Sequence, residues 1–236
     1  MSSSWTQVRR LPVRRILSVI RSRNAALTMA LRATCCGSVA VLLVLGTRSH
    51  TTAFADRLPQ SENETRDQSF NLVSDLFNAL SRCQAPLSEG ARWRLAGTIH
   101  QESRRQGYDP MFVMAMIQVE SGCSPTARGE RGAVGLVQIK PSTARAVAKE
   151  AGLPWHGPQA LTRPAENVQL ALLYLAQLEE QFGDPYLAMV AFNKGPARVG
   201  RMSPQRARGA RYVKKILARY EDLTDEAAAA AAEDQL

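Results

Sequence analysis

A single glutamate follows the most apolar short stretch of the sequence. In MFVMAMIQVESGC, residues 111–123, the positions from Met111 to Val119 are apolar apart from Gln118, and Glu120 is the first charged residue. One interpretation is that Glu120 marks the point where a buried helix reaches water. The other is that its carboxyl is half withdrawn from water, which raises its pKa and lets it hold a proton. The stretch alone leaves both interpretations open.

A glycine-rich segment comes soon after this glutamate. Gly129, Gly132 and Gly135 fall within seven residues and are followed by Gln138. Glycines at this spacing allow a backbone to approach a ligand closely. Because turn glycines are common, this pattern by itself is weak evidence for a site.

The elements that must position these residues are predicted to be helices. An apolar stripe at three- and four-residue spacing starts near Asp67, and Asp109-Pro110 and Asp184-Pro185 are typical helix beginnings. Sustained period-two alternation is absent from the sequence. The sequence therefore predicts an all-α fold, with helices near 67–81, 88–106, 110–121, 141–151, 165–182, 185–194 and 210–220.

The positive charge of the chain is concentrated at its N-terminus. The formal net charge of the 236 residues is +9. Residues 1–55 contain no acid and eight arginines, so 22 basic residues face 21 acidic ones in the remainder, a net charge of +1. This near-neutral body argues against nucleic acid as a partner. The eight arginines of residues 1–55 are Arg9, Arg10, Arg14, Arg15, Arg21, Arg23, Arg32 and Arg48.

The basic segment has the order of parts found in an export signal. An apolar run, Cys35–Gly46, is short for a membrane span, and Ala53-Phe54-Ala55 has the small-x-small pattern of a cleavage site. We therefore expect a leader over 1–55, cleaved after Ala55, and a bacterial protein that is periplasmic or secreted. Met29 begins a signal peptide of ordinary proportions, so translation is hypothesised to start there. An uncleaved signal anchor is the alternative.

Two cysteines, Cys83 and Cys123, remain after the leader. An even pair in an exported protein predicts a disulfide. It would join an upstream helix to the residue three positions after Glu120, and two unpaired buried cysteines are the alternative. We expect no metal and no cofactor, because His100 and His156 are the histidines of this part and neither has ligand spacing.

Six motifs in order resemble the catalytic domain of soluble lytic transglycosylases, which are similar to goose-type lysozymes and cleave bacterial peptidoglycan. The resemblance extends over roughly residues 92–220 and implies a lysozyme-like helical domain. The motifs are Glu120-Ser121, GAVGLVQ at 132–138, PSTA at 141–144, Asn167 with Tyr174-Leu175, AFNKGP at 191–196, and Tyr212-Val213. We expect a linker and upstream helix over 56–85, the transglycosylase domain over 86–222 and an alanine-rich tail over 223–236.

What the resemblance implies is cleavage of the β-1,4 bond between N-acetylmuramic acid and N-acetylglucosamine without water, which leaves a 1,6-anhydro-muramyl end. A single glutamate, here Glu120, acts as acid and then as base. Glycosidases commonly use a second carboxylate, but Glu130 and Glu102 are poor candidates for it. The residues expected to contact the glycan are Ser121, Gly135, Gln138, Tyr174, Phe192, Asn193 and Tyr212. Gln138 and Asn193 are alternatively helix-end caps, and Tyr174 and Tyr212 alternatively pack the core.

Three positions depart from the family pattern. Gly129 stands in place of a serine, Phe192 in place of a tyrosine and Arg208 in place of a glutamate. Losing single hydrogen bonds to a reacting centre can cost about two orders of magnitude in rate each. The alternatives to a transglycosylase are therefore a catalytically weakened peptidoglycan-binding module of an envelope assembly, and a hydrolytic lysozyme on the same fold. We expect a monomer whose partner is the glycan strand of peptidoglycan. The binding-module alternative adds a partner protein of an envelope complex.

Overall fold

The computed structural model describes residues 71–233 except positions 84, 86, 130 and 209, so the predicted leader and most of the predicted linker lie outside the described residues. Within this part the fold is all-α, as predicted, with isolated bridges in place of strands. Helix α1 covers 71–81 of the described residues. The others are α2 Glu89–Gln106, α3 Pro110–Ser121, α4 Pro141–Glu150, α5 Pro164–Phe182, α6 Pro185–Lys194, α7 Pro196–Val199, α8 Pro204–Arg208 and α9 Arg211–Glu233, with a 3-10 turn at Pro158–Thr162.

Local side chains fix where the helices begin and end. The Asp109 carboxylate accepts a hydrogen bond from Met111 N at 2.8 Å, and Asp184 accepts one from Tyr186 N at 2.8 Å. Each cap satisfies a backbone N–H that has no partner within its helix. Gly122 ends α3 in the left-handed conformation, with a φ of 57°. These bounds agree with the helix ends predicted from the sequence.

Helix α3 lies at the centre of the core. Every side chain from Met111 to Ile117 is buried, which explains why the sequence of α3 is apolar on all its faces. Helix α9 packs on α3 and α6, and α5 packs on α2, α4 and α6. Glu120 therefore lies at the end of a helix whose preceding residues are held by the core, and this packing defines the position of its carboxyl.

The upstream helix α1 belongs to the same core. Its Leu76 and Leu80 are buried, and Cys83 forms a disulfide with Cys123, with the Cα atoms 6.0 Å apart. Arg82 also forms an ion pair with Glu226 near the end of α9. The predicted disulfide is thus present, and it connects α1 to the loop that follows Glu120.

Helix α9 continues beyond residue 222, where a separate alanine-rich tail was expected to begin. Leu223 is fully buried and Ala227 packs against the core, so this helix joins the two predicted segments. Helices α7 and α8 and the 3-10 turn were not predicted, because four or five residues are too few to show a period. Within the described part of the chain, no helix is both long enough and apolar enough to cross a bilayer.

Candidate active site

Glu120 lies in the last turn of α3, with its side chain half-buried. The Tyr212 hydroxyl, on the first turn of α9, donates a hydrogen bond to Glu120 Oε1 at 2.6 Å. Ninety-two positions separate the two residues, so the packing of α9 on α3 creates this contact. The two side chains form the centre of the candidate site.

The electrostatic surroundings of Glu120 act in opposite directions. Burial raises the pKa of its carboxyl, because an ionised carboxylate is poorly solvated there. The hydrogen bond from Tyr212 and the positive charge of Lys215 both lower that pKa, and the net shift is upward. Glu120 can therefore hold a proton at a higher pH than an exposed glutamate, while its ionised form still has a donor and a cation beside it.

The glycine-rich segment forms a tight loop held by Asn167. Gly135 has a φ of 83°, and a Cβ at this position would lie 2.2 Å from Leu161 O. Fully buried Asn167 donates from Nδ2 to Val134 O and Leu161 O, at 2.9 and 3.0 Å, and accepts from Val137 N at 2.9 Å. Gly135 is therefore required by close packing. Asn167, which the sequence placed only at the start of a helix, determines the shape of the loop.

Gln138 closes this loop from its other end. It adopts a φ of 50°, which is unusual for a residue other than glycine, and its Nε2 donates to Gly135 O at 2.9 Å and Ala127 O at 3.3 Å. A Cβ at Gly129 would lie 2.6 Å from Gln138 Oε1. The absence of a side chain at Gly129 thus leaves the space that the Gln138 amide occupies.

Residues 97–213 match the family model described as the transglycosylase SLT domain. This part of the chain belongs to that family. The SLT match covers Glu120, the glycine-rich loop, Asn167 and Tyr212, and it leaves out α1 and most of α9.

Two curated relatives show the extent of the likeness. The chain is 34% identical over 99 residues to the soluble lytic murein transglycosylase of Salmonella typhimurium, which is 41% of this chain and 15% of that protein. It is 37% identical over 100 residues to the endo-type membrane-bound lytic murein transglycosylase A of Klebsiella pneumoniae, which is 40% of this chain and 42% of that protein. The chain thus spans less than half the length of either relative.

Solved structures show a likeness of limited extent. The 70-kDa soluble lytic transglycosylase of Escherichia coli superposes with a TM-score of 0.48 at 25% identity, over 65% of this chain and 29% of that chain. The soluble lytic transglycosylase of Pseudomonas aeruginosa gives 0.49 at 24% identity, over 70% and 29%.

The remaining predicted contact residues of the SLT domain have several environments. Ser121 donates its hydroxyl to Ile117 O at 3.1 Å, within its own helix. The rings of Tyr174 and Phe192 lie 5.5 Å apart at 45°, half-buried against the core, and Asn193 is exposed near the end of α6. Tyr212 is the residue of this set whose hydrogen bond to Glu120 is observed within the described part of the chain.

The two other glutamates considered from the sequence differ in what can be said of them. Glu102 is 4% exposed on α2 and forms an ion pair with Arg105 at 3.0 Å. Glu130 lies outside the described residues. The other carboxyl oxygen of Glu102, Oε2, is buried without a hydrogen-bond partner among the described residues, and burial raises the pKa of this carboxyl.

Two residues near Glu120 were missed by the sequence reasoning. Lys215 stands three positions after Tyr212, a helical spacing that places both on neighbouring positions of one face. Gln118 is the one polar residue in the apolar stretch before Glu120, and both ends of its amide are hydrogen-bonded. An isolated polar residue in an otherwise apolar stretch was the available signal for Gln118.

Proposed function

We propose that the protein is a bacterial lytic murein transglycosylase that cleaves the β-1,4 bond between N-acetylmuramic acid and N-acetylglucosamine. The observation that carries this proposal is the half-buried Glu120, whose pKa is raised by burial and whose Oε1 accepts a hydrogen bond from Tyr212. The match of residues 97–213 to the transglycosylase SLT domain supports it. So do the names of the relatives.

In the proposed first step, protonated Glu120 donates its proton to the bridging oxygen, and the bond between C1 of the muramyl residue and that oxygen breaks. A raised pKa favours this step, because the acid must be protonated near the operating pH. The acetamido oxygen of the same sugar stabilises the positive charge that develops at C1. The leaving sugar departs with a new hydroxyl group.

In the second step, the Glu120 carboxylate removes the proton of the sugar's 6-hydroxyl, and O6 bonds to C1. The product is a 1,6-anhydro end, and Glu120 regains its proton. Tyr212 and Lys215 stabilise the carboxylate that the first step leaves, so they favour proton donation in that step, whereas burial favours the return of a proton in this one. Opposing effects on one pKa fit a residue that must serve as acid and as base.

Contacts with the glycan are proposed for the side chains and backbone around this centre. Because Gln138 Nε2 is used within the loop, Gln138 Oε1 is the atom of its amide that we assign to the substrate, where it would accept from an N–H or hydroxyl group. Ser121 and Asn193 are proposed as further polar contacts, and Gly135 is proposed to line the site with a backbone whose N–H donates to Ala127 O and whose carbonyl accepts from Gln138 Nε2. Tyr174 and Phe192 are proposed as an aromatic pair against a sugar face.

We further propose the boundaries and location of the mature enzyme. Cleavage after Ala55 would release a chain with a linker and upstream helix over 56–85, a catalytic domain over 86–222 and a tail over 223–236. Peptidoglycan lies outside the cytoplasmic membrane, so the substrate requires a periplasmic or secreted enzyme. N-terminal sequencing of the exported protein tests the cleavage site, and N-terminal sequencing of the uncleaved precursor tests the start at Met29.

A catalytically weakened peptidoglycan-binding module is the second candidate function, and a hydrolytic lysozyme the third. Gly129 and Phe192 favour the second, because both lack a hydroxyl that the related enzymes place near the reaction. One experiment separates the three. Residues 56–236 and the variants Glu120→Gln and Glu180→Gln are incubated with purified sacculi, and the released muropeptides are analysed by mass spectrometry.

The proposal predicts anhydro-muramyl products from the wild type and from Glu180→Gln, whose side chain is exposed on α5, and none from Glu120→Gln. Reducing ends that disappear in Glu120→Gln would support the hydrolase. Binding to sacculi without any product would support the binding module. Anhydro products that persist at the wild-type rate in Glu120→Gln would remove Glu120 from the mechanism.

A further inference from the structure

Gln118 ties the last turn of α3 to two neighbouring elements. Its Nε2 donates to Ala79 O in α1 at 3.2 Å and lies 3.7 Å from Cys83 Sγ. Its Oε1 accepts a hydrogen bond from Arg219 Nε in α9. The proposed chemistry uses none of these contacts, yet Gln118 stands only two residues before Glu120.

Helix α9 meets this turn at two points that lie on one of its own faces. Tyr212 and Arg219 are seven residues apart, about two helical turns, so their side chains project in nearly the same direction. Tyr212 donates to Glu120, and Arg219 donates to Gln118. These two contacts therefore help to fix the rotation and axial position of α9 relative to the last turn of α3.

Arg219 is itself held in place. Its Nη1 lies 3.4 Å from Glu226 Oε1 and 3.6 Å from Asp222 Oδ2, both on the same helix. A guanidinium held by two carboxylates loses little freedom when it donates to an amide. Arg219 therefore acts as a fixed donor on α9, and Gln118 is the acceptor on α3.

Helix α1 adds the third side of this arrangement. The disulfide places Cys83 beside Cys123, three residues after Glu120, while Ala79 O accepts from Gln118, two residues before it. Helix α1 thus contacts the chain on both sides of the glutamate. It lies outside the SLT match at 97–213.

We propose that Gln118 is a positioning residue that couples α1 and α9 to Glu120 and thereby sets the hydrogen bond between Tyr212 and Glu120. Without its amide, the last turn of α3 loses one of its two polar links to α9 and its polar link to α1. A displacement of about 1 Å at a reacting group can lower a rate about 100-fold, so this coupling matters for turnover. Its kinetic consequences rest on the proposed transglycosylase function.

The first test is kinetic. Gln118→Met keeps the length of the side chain and removes both hydrogen bonds, and Gln181→Met makes the same change at an exposed position. We expect Gln118→Met to lower kcat about 10- to 100-fold with KM changed less than about twofold, and Gln181→Met to match the wild type. Arg219→Lys, which retains a cationic donor, should retain more activity than Arg219→Met.

A double-mutant cycle with Tyr212→Phe distinguishes positioning from a merely structural role. If Gln118 acts through the Tyr212–Glu120 contact, the kcat of the double variant should lie within about twofold of the kcat of Tyr212→Phe alone, because the contact is already lost in that variant. Independent losses would instead multiply. Multiplying losses, or a kcat of Gln118→Met equal to that of the wild type, would overturn the proposal.

A second readout does not depend on activity. The pKa of Glu120 is measured by ¹³C NMR titration of its side-chain carboxyl. The charged or titratable groups that act on this carboxyl are Tyr212 and Lys215, both on α9. Losing the Tyr212 hydrogen bond should raise the Glu120 pKa, so Gln118→Met should raise it in the same direction as Tyr212→Phe, and the double variant no further.

The two proposals fail separately in these experiments. A wild type that produces no muropeptide would overturn the proposed function, while the titration would still support or refute the coupling. An active wild type with an unchanged Glu120 pKa in Gln118→Met would refute the coupling and leave the function intact. Should Gln118→Met not fold by circular dichroism, Arg219→Met replaces it in each comparison, since Arg219 is half-exposed.

Discussion

Removing the Tyr212 hydroxyl tests whether Glu120 is tuned from two sides. In Tyr212→Phe the ring can keep its packing against the core while Glu120 Oε1 loses its donor at 2.6 Å. A hydrogen bond to a charged group contributes about 1.5–3 kcal/mol, and here it stabilises the ionised carboxylate. The pKa of Glu120 should therefore rise, since burial would be opposed by Lys215 alone.

The assay is the pH dependence of kcat for muropeptide release from sacculi. Because Glu120 must start protonated, the alkaline side of the profile should move to higher pH in Tyr212→Phe. The maximal kcat should fall, because the carboxylate that removes the 6-hydroxyl proton is less well oriented. A loss of about 1.5–3 kcal/mol at that step corresponds to about a 10- to 150-fold decrease.

Tyr220→Phe is the matched control for this prediction. Its hydroxyl also lies on α9, but it donates to Asp109 Oδ2 at 2.8 Å, at the other end of α3. That variant should lose stability, by about 1–2 kcal/mol, and keep the pH profile of the wild type. An alkaline side in Tyr212→Phe that stays in place or moves to lower pH would refute the reasoning.

Four further outcomes follow from the structure. In the wild type, burial favours the protonated form of Glu120, and the stability that this protonation contributes is present below pH 4.5 and is lost as the pH rises. Glu120→Gln stays neutral, so it should raise the Tm at pH 7–8. Burial raises the pKa of Glu179 from 4.5 to about 7. The free energy of urea unfolding should therefore fall between about pH 4.5 and 7, and it should fall less in Glu179→Gln. At 1.36 kcal/mol per pKa unit the decrease has an upper limit of about 3 kcal/mol, which solvent screening reduces to about 1–2 kcal/mol. Gly135→Ala should destabilise the fold by more than about 3 kcal/mol through a backbone clash, whereas Gly132→Ala, with open space around its Cβ, should cost only about 1–2 kcal/mol for its positive φ; equal unfolding free energies would contradict this. Gly129→Ser should lower muropeptide release, because the serine side chain would enter the space of the Gln138 amide. A rise in muropeptide release would instead show that the glycine at position 129 limits the activity of this chain.

Much of the fold could be predicted because the determining signals are local. The caps at Asp109 and Asp184 and the left-handed glycine at the end of α3 depend on neighbouring residues. The apolar content of α3 predicted its burial, and the cysteine pair predicted the disulfide. The short helices α7 and α8 escaped prediction, because their length is set by packing on longer elements.

The sequence by itself predicted Glu120 as the candidate acid and placed it at the end of an apolar helix. Eight consecutive buried residues, positions 110–117, end three positions before Glu120, so the position of Glu120 at the end of a core helix is a consequence of hydrophobic patterning. The resemblance of the motifs added Tyr212 and Gly135 as expected site residues. None of these sequence signals predicted which side-chain atoms form hydrogen bonds with one another.

The tertiary structure alone decided how the pKa of Glu120 is tuned and how its side chain is held. Tyr212 reaches Glu120 across 92 positions, Arg219 reaches Gln118 across 101, and Asn167 reaches Val137 across 30. A hydrogen bond acts over about 3 Å, so such pairs depend on how whole helices pack, to a precision that composition and spacing do not contain. The sequence predicted Glu120 as the candidate acid, and the packing of α1 and α9 against α3 gave its carboxyl a donor, a cation and a fixed place.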